Sequence, residues 1–228
     1  GDGSCAMDDP VTTYGDAVVT KRSLALLQPG GWLDDNLIAF YFEFLTATRP
    51  DPAQLLLCPS TVFFMNVYCT DVATLQETLE PLLTLATSLL FLPINDNDDP
   101  LCAGGSHWTL LVYWRREGKC YFFDSVRGSG CLRAAMLAQA KLDELFGSRT
   151  TLEAVDAPQQ RNGSDCGMHV LATAEYCHAH YLQARSLHGF NASGLREAVE
   201  TVGIPAMRKQ LQRLVLDSPK ELGTRGLL

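Results

Sequence analysis

A chain of 228 residues with 46% hydrophobic content is long enough for one globular domain with a full core, or for two small ones. With 18 basic against 26 acidic residues, its formal net charge of −8 disfavours a nucleic-acid partner and suits a basic protein surface. The longest apolar-leaning run, 82–94, contains Thr84, Thr87, Ser88 and Pro93 and falls short of the roughly 20 apolar residues that span a bilayer, so no membrane association is expected.

The polar, acidic residues 1–13 read as a disordered segment or a remnant of expression, with no signal-peptide pattern. Pro29-Gly30-Gly31 is a turn. Asp34 or Asp35 then caps a helix over 36–49 that Pro50 ends. Ser60 is the expected cap of an apolar helix over 61–68, and Asp71 that of a helix over 72–79. Residues 89–94 form a short buried strand, followed by an acidic, glycine-rich loop over 95–106.

Two β-rich runs, 107–114 and 119–124, read as an antiparallel hairpin around Arg115-Arg116-Glu117-Gly118. A helix over 132–146 is closed by Gly147, and 150–155 is another strand. A helix starts near Cys166 and runs to about Gln183, and a last one lies within 194–215. Residues 217–228 are expected to fray. Strands in mid-chain with helices before and after them predict an α+β fold, in a single domain over 14–216, without βαβ winding.

Eight cysteines, at 5, 58, 69, 102, 120, 131, 166 and 177, form no C-x-x-C pair, which predicts reduced thiols in the cytoplasm or nucleus. Cys58, Cys69, Cys120 and Cys177 lie in apolar surroundings. Cys166 instead follows the turn sequence Asn162-Gly163-Ser164-Asp165 and opens a helix, where the dipole favours a thiolate. Gly167 leaves room there for a substrate to approach the backbone.

A thiolate nucleophile needs a base. Among the histidines at 107, 169, 178, 180 and 188, His169 shares the helix of Cys166 and leaves little room for a substrate between them, while His178 and His180 are about three turns further along. His188 lies in the next loop, with no orienting acid nearby in sequence. His107 opens the first hairpin strand and Asp124 closes the second, so both come to one sheet edge, provided that a longer or bulged turn brings them into step. Asp124 then holds His107 in the tautomer that faces the thiol. Gln160, on the approach to Cys166, supplies an oxyanion donor together with the Cys166 N–H, with Gln159 as its competitor. A zinc site from Cys166, His169, Cys177, His178 and His180 is disfavoured because the two groups sit about three turns apart on one helix. No metal and no cofactor is expected.

His107-Trp108, Asp124, Gln160 and Asp165-Cys166-Gly167, with Trp32-Leu33-Asp34-Asp35, resemble the ubiquitin-like-protein proteases, the sentrin/SUMO-specific (Ulp-type) cysteine peptidases, over about residues 14–183. The resemblance implies a papain-like fold, with the nucleophile helix against a central, mostly antiparallel sheet. It implies a thiol isopeptidase that cleaves after the C-terminal Gly-Gly of a modifier, with Trp32 and Trp108 walling a tunnel that only glycine can pass. The segments 93–97 and 104–113 are most similar to the deneddylase branch, whose modifier ends in Leu-Arg-Gly-Gly. Asp34 and Asp35, with Asp96, Asp98 and Asp99, are then candidates to meet its arginine. The loop 162–166 is closer to the SUMO-protease form, so SUMO is the second candidate modifier. A non-catalytic binding module for such modifiers is a further alternative. The enzyme is expected to be a monomer.

Overall fold

The computed structural model describes residues 6–99, 101, 104–187, 190–217 and 226–228. They divide into two compact units, Gly1–Pro50 with Gln160–Leu228, and Asp51–Gln159.

In the first unit, β1 (Pro10–Tyr14) pairs antiparallel with β2 (Ala17–Thr20) around Gly15, whose φ of +55° suits the turn. Disorder was expected up to residue 13. Instead, β-branched residues on both sides of the turn close a hairpin, and Asp9 and Asp8 pair with Lys21 (2.8 Å) and Arg22 (2.9 Å) just beyond it. Thr20 caps the short α1 (Lys21–Ala25). The next helix, α2 (Asp35–Thr48), starts at Asp34, whose carboxylate accepts from Leu37 N at 3.0 Å. Its Leu37, Ile38, Tyr41, Phe44 and Leu45 are buried at helical spacing, and it stops ahead of Pro50 as expected.

The second unit is built on a five-stranded sheet. After β3 (Gln54–Leu56) come α3 (Pro59–Val67) and α4 (Val72–Leu79), then β4 (Leu89–Asn95). Pro59, with its preset φ, opens α3 and moves the cap back to Cys58 from the expected Ser60. Asp71 caps α4 through Thr74 N (2.8 Å). β5 (Trp108–Trp114) and β6 (Lys119–Phe123) form the expected hairpin, and α5 (Cys131–Phe146) leads to β7 (Thr151–Val155). The strand order is β3-β4-β5-β6-β7. The sheet is mixed: β4–β5 and β5–β6 are antiparallel, whereas β3–β4 and β6–β7 are parallel. Parallel neighbours need a crossover, which α3–α4 and α5 supply, so β6-α5-β7 is a βαβ unit despite the expectation of none. Leu90, Leu92, Ile94, Leu111, Tyr113 and Phe122 pack with Val62, Met65, Leu75, Leu79, Ala135 and Leu142 from these helices into one core.

The chain returns to the first unit with α6 (Cys166–Ala184), buried along most of its length, followed by α7 (Ala192–Val202) and α8 (Ile204–Leu216). One helix was expected within 194–215. Gly203, at φ +77°, and Pro205 in the first turn of α8 divide it into two. At the far end of the chain, Leu227 is buried, and its N–H and that of Leu228 donate to the buried Glu175 (2.7 and 3.0 Å). Tyr41 Oη (2.8 Å) and Arg49 Nη2 (3.1 Å) also bind that carboxylate. Fraying therefore does not extend to residues 227 and 228. The intervening part of the expected tail, 218–225, lies outside the described residues.

Gly167 has a different purpose from the one expected. A Cβ there would lie 2.7 Å from Leu33 Cβ, so the space belongs to the buried Leu33 and not to a substrate. Helix propensity alone would make Gly167→Ala a gain of about 1 kcal/mol. Overpacking against Leu33 costs about 1–3 kcal/mol. The expected result is a net loss of stability in urea unfolding, with Leu33→Ala relieving part of it in the double variant. A Gly167→Ala chain more stable than wild type would show that Leu33 yields freely.

Candidate active site

In the second unit His107 and Asp124 meet. His107 Nε2 lies 2.7 Å from Asp124 Oδ1. The hairpin register runs from Trp114↔Lys119 to Leu110↔Phe123, and its continuation puts Asp124 opposite Thr109, two residues along from His107. A two-residue turn would give the same register, so neither a bulge nor a longer turn brings the pair together. The side chains meet diagonally on one face of the ladder, within reach of a histidine ring.

Both members are held in place. Asp124 Oδ1 also accepts from Val126 N (2.8 Å), and Oδ2 from Ser129 Oγ (2.5 Å). Burial works against the charged carboxylate, but the bonds from His107, Ser129 and Val126 outweigh it and leave Asp124 below its ordinary pKa. It is therefore an anion at neutral pH. The His107 N–H at Nε2 donates to it, so the acceptor lone pair of the neutral ring is on Nδ1.

The backbone at His107 is fixed by Asp96. Its Oδ1 accepts from His107 N (3.1 Å) and Ser106 N (2.6 Å), and its other oxygen takes the Ser106 hydroxyl. Gly105 makes this possible: its φ is +124°, and a Cβ there would lie 1.8 Å from Asn95 Oδ1. Asp96, offered by the sequence as a substrate contact, is thus committed inside the chain. Asp98 and Asp99 lie in the same loop, where Asp99 Oδ1 accepts from Leu101 N (2.8 Å).

In the first unit, Cys166 is the first residue of α6 and is buried. Asn162 builds the turn ahead of it. Its Oδ1 accepts from Ser164 N (3.0 Å), Asp165 N (3.1 Å) and Ser164 Oγ (3.2 Å). Asp165 O accepts the N–H of His169 (3.0 Å). The Asp165 carboxylate takes Asn162 Nδ2 (2.8 Å) on one oxygen and Arg208 on the other. Leu33, packed on Gly167, brings the neighbouring Trp32 to the start of α6. Trp32 itself is 46% exposed, a large apolar ring left to solvent.

Asp34 is fully engaged as the α2 cap and as acceptor from Ser23 Oγ (2.6 Å), so of the two acids only Asp35 is exposed for a partner. Trp108 opens β5 and is buried. Gln159 is spent: Oε1 accepts from Arg127 N (3.1 Å), and Nε2 donates to Asp124 O (2.9 Å) and Ala157 O (3.0 Å). Gln160 Nε2 donates within the loop to Asn162 O (2.5 Å).

Burial lowers His169 to a pKa of about 4, against which the nearby Asp165 is a weaker influence, so it is a neutral core group. His178 Nε2 pairs with Arg49 O (3.1 Å), and His188 lies outside the described residues. Burial also raises the Cys120 thiol to about 12 and Cys131 to about 11, and raises Cys177 further. Cys58 is not a core thiol. It is half-buried, with its sulfur 2.9 Å from Thr61 Oγ1. Cys102 lies outside the described residues. Among the described residues, no group of three His, Cys, Asp or Glu side chains could hold a metal ion.

Sequence reasoning missed Asp96's anchoring role, Ser129 and Arg208. The first two follow from loop paths that no periodicity reports. Arg208 has no sequence signal at all, being one of several basic residues on an amphipathic helix.

A cysteine opening a helix and a histidine oriented by a half-buried carboxylate are the parts of a cysteine protease. The chain belongs to the Ulp1 protease family, whose C-terminal catalytic domain matches residues 31–202 and so includes stretches of both units. It is 34% identical to NEDD8-specific protease 1 of Arabidopsis thaliana over 174 residues, 75% of this chain and 76% of that protein. It is also 34% identical to human sentrin-specific protease 8 over 179 residues, covering 74% and 81%. Among solved structures, the Ulp1 protease domain in complex with Smt3, the yeast SUMO orthologue, superposes with a TM-score of 0.67 at 20% identity, covering 91% of this chain and 86% of that one.

Proposed function

We propose that the chain is a deneddylase: a cysteine isopeptidase that cleaves after the C-terminal diglycine of the neddylation modifier, in precursors and in modifier–lysine conjugates. The observation that carries the reading is the 2.7 Å bond between His107 Nε2 and Asp124 Oδ1, which leaves Nδ1 as the base. Support for the choice of modifier comes from the NEDD8-specific relative. In this reading residues 14–216 make up a single catalytic domain. His107 Nδ1 takes the Cys166 thiol proton, and the thiolate attacks the carbonyl carbon of the last glycine. The Gln160 amide and the Cys166 N–H donate to the oxyanion. The C–N bond breaks as His107 protonates the leaving amine. Water, deprotonated by His107, then attacks the thioester, and the modifier leaves with a free carboxylate while the thiol is restored.

Trp32 and Trp108 are assigned to the diglycine passage, and Asp35 to the arginine that precedes it. The enzyme is assigned to the cytoplasm or nucleus, a reading supported by eight cysteines without a C-x-x-C pair. SUMO remains the second reading, because loop 162–166 is closer to the SUMO-protease form. The test is a panel of NEDD8, SUMO and ubiquitin, each with an electrophilic C-terminus or a fluorogenic amide. The expected result is a covalent adduct on Cys166 and fastest hydrolysis of the NEDD8 reporter. An exposed ion pair is worth about 0.5–1 kcal/mol, so Asp35→Ala lowers kcat/KM about twofold to fivefold at low salt and less at high salt. Faster hydrolysis of the SUMO reporter sinks the deneddylase reading. Binding without any adduct favours the non-catalytic module.

A further inference from the structure

Arg208 lies on α8, beyond residue 202 where the family match ends. Its side chain is 5% exposed, yet it carries a full charge. Nε and Nη2 donate to Asp165 Oδ1 at 3.0 and 2.7 Å, and Nη2 also reaches Ser164 O at 3.1 Å. Nη1 donates to Leu26 O at 3.1 Å, and Nη2 to Gly31 O at 2.7 Å. Ser164 and Asp165 are the turn directly before Cys166. Gly31 directly precedes Trp32, and a Cβ at Gly31 would lie 2.1 Å from Leu26 O, so this loop is closed tightly around its own acceptors.

We infer that Arg208 is a positioning residue for the nucleophile, clamping the Ser164–Asp165 turn to the segment that carries Trp32. The inference rests on Cys166 being the nucleophile. A planar guanidinium with several fixed donors sets the separation of two backbone segments, which an ammonium on a flexible stem cannot do. A buried ion pair is a weak source of net stability, so a clamp of this kind is better explained by the geometry it imposes. The same contact neutralises the Asp165 carboxylate beside the position where the Cys166 thiolate must form. Without Arg208, the carboxylate keeps Asn162 Nδ2 but loses its cation, and the turn loses its tie to the segment that carries Trp32. A displacement of about 1 Å at a reacting group can cost on the order of a hundredfold in rate.

The test uses the full chain, with kcat and KM for a modifier amide reporter scaled to the folded fraction from urea unfolding. Arg208→Met is expected to lose about a hundredfold in kcat with KM changed far less, and Arg208→Lys, which restores charge but not the fork, to recover part of it. A folded Arg208→Met with wild-type kcat and only a lowered Tm overturns the inference. If Arg208→Met fails to fold, Arg208→Lys and Asp165→Asn decide: a fall in kcat in both supports the clamp, and wild-type kcat in either overturns it. The electrophilic modifier separates the two readings. A wild-type adduct on a residue other than Cys166 removes the nucleophile assignment itself, whereas a Cys166 adduct beside an unaffected Arg208→Met removes only the clamp.

Discussion

Cys166→Ala abolishes turnover, by about 10⁵-fold or more, while the modifier still binds. In the proposed mechanism this thiol forms the covalent intermediate. Cys120, Cys131 and Cys177 are buried, with raised pKa values, and so are almost wholly protonated at neutral pH. The variant should fold normally, because Asn162 and Arg208 build the turn without using the sulfur. The measurement is single-turnover hydrolysis beside calorimetric titration with an intact modifier. The expected pair of results is no cleavage and a Kd within a few-fold of wild type. Cleavage at near wild-type rate, or a warhead adduct on Cys58, would move the nucleophile elsewhere.

Asp124→Asn lowers kcat by about a hundredfold or more and leaves the fold intact. The hydrogen bonds around Asp124 explain both parts. An asparagine with its oxygen in the Oδ1 position still accepts from His107 Nε2 and Val126 N. Its amide then faces Ser129, whose hydroxyl can turn from donor to acceptor. The tautomer of His107 is therefore retained, and what disappears is the negative charge that stabilises the imidazolium. The loss should fall below the ~10⁴-fold seen where the same exchange imposes the wrong tautomer. His107→Ala, which removes the proposed base altogether, should approach the Cys166→Ala defect. Steady-state kinetics with thermal unfolding of each variant checks the order. Equal damage from Asp124→Asn and His107→Ala would mean that the ring loses its orientation as well as its charge partner.

Much of this was legible in the sequence because it depends on local chemistry. Turn residues ahead of an apolar helical run placed Cys166 at the start of α6, and the structure starts that helix on the same residue. Alternation and composition located β4, β5 and β6, and Asp71 and Gly147 marked the ends of their helices. His107 and Asp124 were identified by lying at one edge of a hairpin.

Tertiary structure alone decided what those residues touch. The diagonal meeting of His107 and Asp124 depends on side-chain reach across an unbulged ladder, which spacing does not report. The parallel β3 and β7 edges depend on crossovers between segments distant in sequence. Gly167 gives its space to Leu33, Asp96 to the His107 backbone, Asp34 to its own helix and Gln159 to the Asp124 loop. The choice of Asp34 as the α2 cap, and of Arg208 among several basic residues as the one buried on Asp165, has the same physical origin. A polar side chain taken out of water must find its partners, and long-range packing determines which partners are within reach.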